Sequence, residues 1–223
     1  MRTHTKETQS TLTPAKALTF LKDGNERFLN NLRLNRNLLQ QVNDTSAGQF
    51  PFAVILSCID SRTSAELIFD QGLGDIFSVR VAGNVLNEDI LGSMEFACAV
   101  AGSRLVVVLG HSRCGAVKGA CHHVEMGNLT GLLSKIRPAV EEVRSGRDRD
   151  CSDEAFIEDV ALQNTRRQMR QILERSPILR DLHDQGRIGF AAAMYSVETG
   201  KVEFVEELTP DTERAIEGEP VTA

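Results

Sequence analysis

Hydrophobic positions along this chain fall into two patterns, and their alternation predicts the fold. Continuous apolar runs, Phe52-Ala53-Val54-Ile55-Leu56 and Leu105-Val106-Val107-Val108-Leu109, are short, rich in β-branched residues and bounded by turn formers. Runs of that kind read as strands buried on both faces of a parallel sheet. The order is strand 52–57, helix 64–70, strand 76–80, helix 88–100, strand 105–109. Such alternation predicts an α/β fold with a mainly parallel central sheet, right-handed crossovers and flanking helices. After Cys114 a helix is expected toward Val124, then helices over 129–144 and 154–174. Segments 187–196 and 201–205 flank Val197-Glu198-Thr199-Gly200, which predicts a hairpin adding a C-terminal antiparallel strand.

The N-terminal third is patterned differently. Residues 1–12 are polar and threonine-rich, as expected of a frayed arm. Thr13-Pro14 then supplies an N-cap and a proline at the first helical position, and Ala17, Leu18, Leu21, Phe28 and Leu29 form an apolar stripe, which predicts an amphipathic helix over 14–31. A weaker helical stretch, 38–42, ends in the turn formers Asn43-Asp44-Thr45-Ser46-Ala47-Gly48. No composition break marks a domain boundary, and Ser145-Gly146-Arg147-Asp148-Arg149-Asp150 reads as a charged solvated loop. The expected organisation is one domain over 1–223: frayed arm 1–12, N-terminal helical arm 13–45, catalytic core 50–206 and acidic tail 207–223 carrying Pro210 and Pro220. Internal repeats, heptads and low-complexity tracts are absent.

Composition narrows the function classes. With 223 residues and 41% hydrophobic content the chain can bury a sizeable core. A net charge of −6, with Lys and Arg scattered among acids, lacks the basic footprint of a nucleic-acid or anionic-membrane binder. No stretch approaches the roughly 18 apolar residues of a membrane span, and Met1-Arg2-Thr3-His4-Thr5-Lys6-Glu7 lacks the apolar core of a signal peptide, so a cytoplasmic location is expected. Five cysteines, odd in number and set within predicted elements, argue against a secreted disulfide framework and for reduced thiols.

Candidate chemistry sits where the apolar runs end. Cys58-Ile59-Asp60-Ser61-Arg62 follows the first and His111-Ser112-Arg113-Cys114-Gly115 the second. Ligands of open α/β sheets gather beyond the strands' carboxyl ends, so two thiolates, an imidazole and a carboxylate are expected to converge on one zinc ion per chain. If the first segment stays extended, Asp60 falls on the same side as Cys58 and can reach the metal, and Arg62 falls there too. Arg62 could hold Asp60 in a bidentate pair, leaving the fourth position to water and making the site catalytic. His111 and Cys114 have the i, i+3 spacing of a first helical turn, whose amides favour a thiolate, and Gly115 permits close backbone approach. Singly, a Cys-x-Asp or His-x-x-Cys arises readily by chance. The competing structural reading is a reduced core cysteine pair beside a capping Asp.

Together with Phe77-Ser78-Val79-Arg80-Val81-Ala82-Gly83-Asn84 and Gly110-His111-Ser112-Arg113-Cys114-Gly115-Ala116, the first segment resembles the signature of the β-class carbonic anhydrases, and the resemblance runs from about Pro14 to Val205. It implies reversible hydration of carbon dioxide to bicarbonate and a proton by zinc-bound hydroxide. Cys58, His111 and Cys114 would be the zinc ligands and Asp60 with Arg62 the catalytic dyad, Asp60 being a fourth ligand in a closed state. Gln49, Phe77, Ala82, Phe96 and Gly115 would contact substrate. Gln49 and Phe77 match the glutamine and the pocket aromatic of the open style of site and favour it; the side-pocket style uses a tryptophan where Ile55 stands here, although Arg80 and Tyr195 fill its partner positions. Arg80-Val81-Ala82-Gly83-Asn84 departs from the commoner Arg-Asn-x-Ala-Asn, and Phe96 replaces a frequent tyrosine. The resemblance also implies a homodimer or higher homo-oligomer, which the amphipathic helix 14–31 fits. Phe77 and Phe96 also read as ordinary core, Gln49 as a solvated loop residue, and His122 and His123 as surface residues ahead of proton shuttles. Cys98, Cys121 and Cys151 need no function. Two other functions use the same parts: hydrolysis of a sulfur analogue such as carbon disulfide, and a non-catalytic structural or pH-sensing zinc module with Asp60 permanently bound.

Overall fold

A computed structural model describes residues 3–145 and 150–210. The middle of the charged loop and the tail from residue 211 lie outside the described residues. In order, the elements are α1 (Lys6–Ser10), α2 (Pro14–Leu29), α3 (Leu38–Thr45), β1 (Ala53–Ser57), α4 (Ala65–Ile68), β2 (Ile76–Arg80), α5 (Glu88–Glu95), β3 (Leu105–His111), α6 (Gly115–Cys121), α7 (Gly127–Leu133), α8 (Arg137–Arg144), α9 (Glu154–Arg175), α10 (Pro177–Asp184), β4 (Gly189–Tyr195) and β5 (Val202–Leu208). A 3-10 turn, Ala82–Asn84, follows β2, and a π-helical turn, Phe96–Val100, continues α5.

The strands form one sheet in the order β2-β1-β3-β4-β5, parallel except for the β4–β5 pair. β1 and β3 are buried at every position, which is why their sequences read as unbroken apolar runs. Alternate residues serve opposite layers. Ile55, Val107 and Ala193 pack against Leu18 and Leu21 of α2 and Ile68 of α4. Leu56, Val108 and Ala192 pack against Ile90 of α5, Met169 and Ile172 of α9 and Leu179 of α10. A third cluster, including Val117, Leu133, Ile136, Val140, Phe156 and Val160, also takes in Cys58 and Cys114.

The chain leaves β1 toward β2 on one side and reaches β3 on the other, so the connection reverses between β1 and β3. In open α/β sheets that crevice, at the carboxyl ends of the strands, is where ligands collect. The β1–β3 ladder ends where Ser57 pairs with Leu109, setting Cys58 and His111 beyond its last rung, while His111 still pairs with Tyr195 of β4.

Four expectations need correction. Of the expected frayed arm 1–12, residues 1–2 lie outside the described residues, and residues 3–12 are not simply frayed: Thr5 caps α1, and the buried Gln9 donates through Nε2 to the carbonyls of Pro51 and Ala101, both at 2.8 Å. The helix expected over 129–144 is two helices, broken by a turn at Ser134–Ile136, with Pro138 in the first turn of α8 where its missing N–H costs nothing. An unexpected helix, α10, follows α9 at once: Ser176 caps it by accepting from Leu179 N, and Pro177 opens it. Glu207 and Leu208, assigned to the tail, belong to β5.

Candidate metal centre

Cys58 directly follows β1, His111 ends β3, and Cys114 caps α6. One ligand atom from each lies within 4.8 Å of the others, and all three residues are buried; among the described residues this is the group able to hold a metal. His111 and Cys114 do not meet on a helical turn, as their spacing suggested. The strand end carries the imidazole, and Arg113, in the left-handed region at φ 55°, turns the chain so that Cys114 comes back to it.

The donor set fits a borderline-soft divalent ion. His111 Nδ1 lies 2.9 Å from the Ser112 carbonyl, which makes it an N–H donor, so that in the neutral imidazole Nε2 carries the free lone pair. That Nε2 is buried with no hydrogen-bond partner. An orphaned buried acceptor is costly, and a cation beside two sulfurs is the partner it lacks. The Cys58 sulfur is drawn toward the thiolate by the Cys114 thiol and, against burial, by His111 and the Gly83 N–H at 3.3 Å. Cys114 is pushed the other way, because a second negative charge there would face the first inside the core. A single proton can reconcile only one thiolate with its neighbour; a divalent cation reconciles both.

Asp60 stands outside that cluster and is held by arginine. Arg62 Nε donates to Oδ1 at 2.9 Å and Nη2 to Oδ2 at 2.8 Å, with a further bond from Arg62 N to Oδ1 at 3.0 Å. The segment does not stay extended. Thr63 N closes a turn on Asp60 O, the Thr63 hydroxyl donates to the carbonyls of Cys58 and Asp60, and Arg80 donates to the same two carbonyls. The turn, not strand alternation, brings guanidinium and carboxylate together, and Arg62 holds Asp60 well below the usual carboxylate range.

Comparison with known proteins then decides the family. A model of the family described as carbonic anhydrase matches residues 53–202. A carbonic anhydrase of Mycolicibacterium smegmatis is 35% identical over 86% of this chain and 93% of its own length. The chain belongs to the β-carbonic anhydrase family. Carbonic anhydrase 2 of Mycobacterium tuberculosis is 47% identical over 58% of this chain, and the match spans 62% of that relative's length. One of two tetrameric β-carbonic anhydrases of Sordaria macrospora superimposes with a TM-score of 0.64 at 21% identity, covering 72% of this chain and 83% of its own.

Within this family member the other expected site residues scatter. Gln49 is exposed before β1, at the opposite end of that strand from Cys58. Five strand residues at roughly 3.3 Å each separate the two, so one chain does not bring Gln49 to the cluster. Phe77 and Phe96 meet edge to face, ring centroids 6.3 Å apart, in a groove beside β2 that none of the three ligand residues lines. Ala82 opens the 3-10 turn leading to Gly83. A Cβ on Gly115 would meet nothing within 4 Å, so crowding within the chain does not demand glycine there. Demand falls instead on Gly83, at φ 66°, where a Cβ would come within 2.6 Å of Ile136 Cδ1. Ile55 is fully buried in the core with Tyr195 nearby, and Arg80 is occupied by backbone carbonyls. His122 and His123 are exposed at the end of α6. Cys98 is pushed up to about 12 by burial, and Cys121 to about 12 by burial and the adjacent Cys151.

Proposed function

We propose that this chain catalyses the zinc-dependent, reversible hydration of carbon dioxide to bicarbonate and a proton. One observation carries the reading: two cysteine sulfurs and an unpartnered imidazole nitrogen share a buried pocket, while the neighbouring carboxylate is pinned outside it by arginine. Cys58, His111 and Cys114 would hold the zinc. When bound, zinc acts as a Lewis acid that brings the pKa of water down to about 7, so that a nucleophile exists near neutrality. The bidentate grip of Arg62 keeps the Asp60 carboxylate from closing the fourth position, which favours the catalytic reading over a structural module. Asp60 stays ionised throughout the neutral range and offers an acceptor to the attacking water, fixing its orientation toward the carbon of the substrate.

The same reading extends to assembly. α3 leaves Leu38, Leu39 and Val42 exposed, a cluster that a second copy of the chain would cover. Gln49 reaches an active site only from a neighbouring copy, and the Sordaria macrospora structures are titled tetrameric, so we infer a homo-oligomer. Free cysteines at all five positions fit a reducing compartment, the cytoplasm. No helix of the described residues is long and apolar enough to cross a membrane.

The decisive experiment is stopped-flow CO2 hydration against zinc content. Turnover is expected to rise in proportion to bound zinc and to vanish in Cys58→Ala. A fully zinc-loaded protein that hydrates no CO2 at neutral or alkaline pH would overturn the assignment in favour of the structural module, and turnover of carbon disulfide alone would move it to the sulfur analogue.

A further inference from the structure

We propose that Asn164, on α9, is a positioning residue for Cys58, acting through the backbone of Gly83. The connection is continuous. Asn164 Nδ2 donates to Gly83 O at 2.9 Å, and Gly83 N donates to Cys58 Sγ at 3.3 Å. Behind Asn164, its Oδ1 accepts from Gln168 Nε2 at 3.0 Å, and Gln168 Oε1 accepts from Leu86 N at 3.0 Å. Asn164 is fully buried and Gln168 nearly so. Two primary amides one helical turn apart are thus committed to the short loop that leaves β2.

That loop needs an outside anchor. Gly83 and Asn84 occupy the left-handed region in succession, at φ 66° and 43°. A glycine there has no side chain to restrain the peptide planes on either side, so the aim of its N–H depends on what holds its carbonyl. Asn164 holds it. The N–H in turn fixes a lone pair of the sulfur and withdraws electron density from it, as outer partners of metal ligands do. Stability alone does not call for amides at these positions, because the neighbouring buried positions of α9 are apolar, at Val160, Ala161, Met169 and Ile172, and the buried Thr165 hydroxyl is satisfied within the helix by the Ala161 carbonyl.

α9 also touches the second ligand segment. Glu158 Oε1 accepts from Arg113 N at 2.6 Å, next to Cys114, and Thr165 packs so closely on Gly110 that a Cβ there would come within 2.1 Å of its Oγ1. One helix therefore sets the mutual placement of the two segments, and Asn164 supplies the contact that reaches a ligand atom through two hydrogen bonds.

This inference rests on the zinc reading of the site, and its test separates the two. Cobalt is substituted into the full chain, and the thiolate-to-cobalt charge-transfer band is recorded for the unaltered protein, Asn164→Asp, Asn164→Ser and Met169→Ala; zinc affinity is measured in parallel by competition with a chromophoric chelator. The carboxylate of Asn164→Asp has no N–H to give and the hydroxyl of Asn164→Ser is an atom shorter than the amide and does not reach Gly83 O, so the band is expected to move to longer wavelength and zinc affinity to fall about tenfold. Met169→Ala opens a cavity on the same helix without touching the chain of amides and is expected to lower thermal stability while leaving band and affinity unchanged. Asn164→Ser adds no charge and carries the test if Asn164→Asp does not fold. A parental band and affinity in the variants, or the same change in Met169→Ala, would overturn the assignment. Failure of the unaltered protein to take up cobalt would refute the metal reading itself, and this inference with it.

Discussion

Asp60 and Asp70 are both gripped by arginine, in surroundings that differ at every point. Asp60 is bound by Arg62, two residues away, and the Arg62 side chain is 49% exposed. Asp70 lies at φ 44° just after α4 and accepts from Arg27 Nε at 2.6 Å, from Arg36, and from Leu34 N at 3.3 Å; its side chain is 2% exposed. The first pair is a local turn beside the ligand cluster, with acceptor capacity still facing outward. The second spans more than thirty residues and staples the N-terminal helical arm to the sheet layer, with its oxygens consumed by the protein. An aspartate–arginine pair is therefore not a functional signal by itself. What the pair leaves unsatisfied, and what stands next to it, decides whether it serves chemistry or cohesion.

Breaking the staple should give the largest effect. In Asp70→Asn the Arg36 side chain, 8% exposed, keeps its charge and loses its counter-charge. Removing one partner of a buried pair costs about 3–5 kcal/mol. Urea unfolding is expected to show that loss, while CO2 hydration per folded molecule stays at the parental rate. A variant as stable as the parent would mean that the joint is not what fixes the arm.

Asp60→Asn should invert that result. Its pair is open to water and worth about 0–1 kcal/mol to the fold, so unfolding midpoints are expected to stay near parental. Turnover is expected to fall about a hundredfold, the lower end of what a positioned carboxylate contributes, with zinc retained stoichiometrically. Loss of zinc from Asp60→Asn would show that the carboxylate is a ligand after all and would erase the distinction between the two aspartates.

How far each region was legible in sequence follows from the same contrast. The strands could be read because β1 and β3 are apolar on both faces, and the ligand cluster because each half is local, within a few residues of a strand end. Helix α10 was missed because Pro177, directly after α9, reads as a stop, whereas here Ser176 ends one helix and caps the next. The hold of Gln9 on the carbonyls of Pro51 and Ala101 was missed because a polar side chain 42 or 92 residues from its acceptors leaves no periodic trace. The same holds for Asn164 and Gly83, which are 81 residues apart. Gly83 alone carried a hint, a glycine interrupting the run after β2, but nothing in one sequence says which helix secures it. Asp70 gave no signal either, since its partners come from a different part of the chain.

The smallest expected effect is a pH dependence that distinguishes the pairs without a change of fold or rate. Burial of Asp70 opposes its ionisation, but the hydrogen bonds from Arg27, Arg36 and Leu34 N outweigh that, so its carboxyl ionises below the ordinary value of about 3.9. A group whose pKa is depressed by folding contributes stability that is present above its unfolded value and is lost as pH falls through its folded value. Parental stability is therefore expected to fall below about pH 4, and that of Asp70→Asn to fall less over the same window, so the gap between them narrows on acidification. Asp60 is also depressed, chiefly by the Arg62 side chain, and a narrowing for Asp60→Asn is expected at low salt that is much smaller, within the roughly 0–1 kcal/mol of an exposed pair. At about 1 M salt, where charges are screened within roughly 3 Å, the Asp60 narrowing should fade because its partner is half in solvent, and the Asp70 narrowing should persist. Equal loss of both at high salt would show that Asp70 is as open to water as Asp60, and the contrast between staple and site would have to be drawn on other ground.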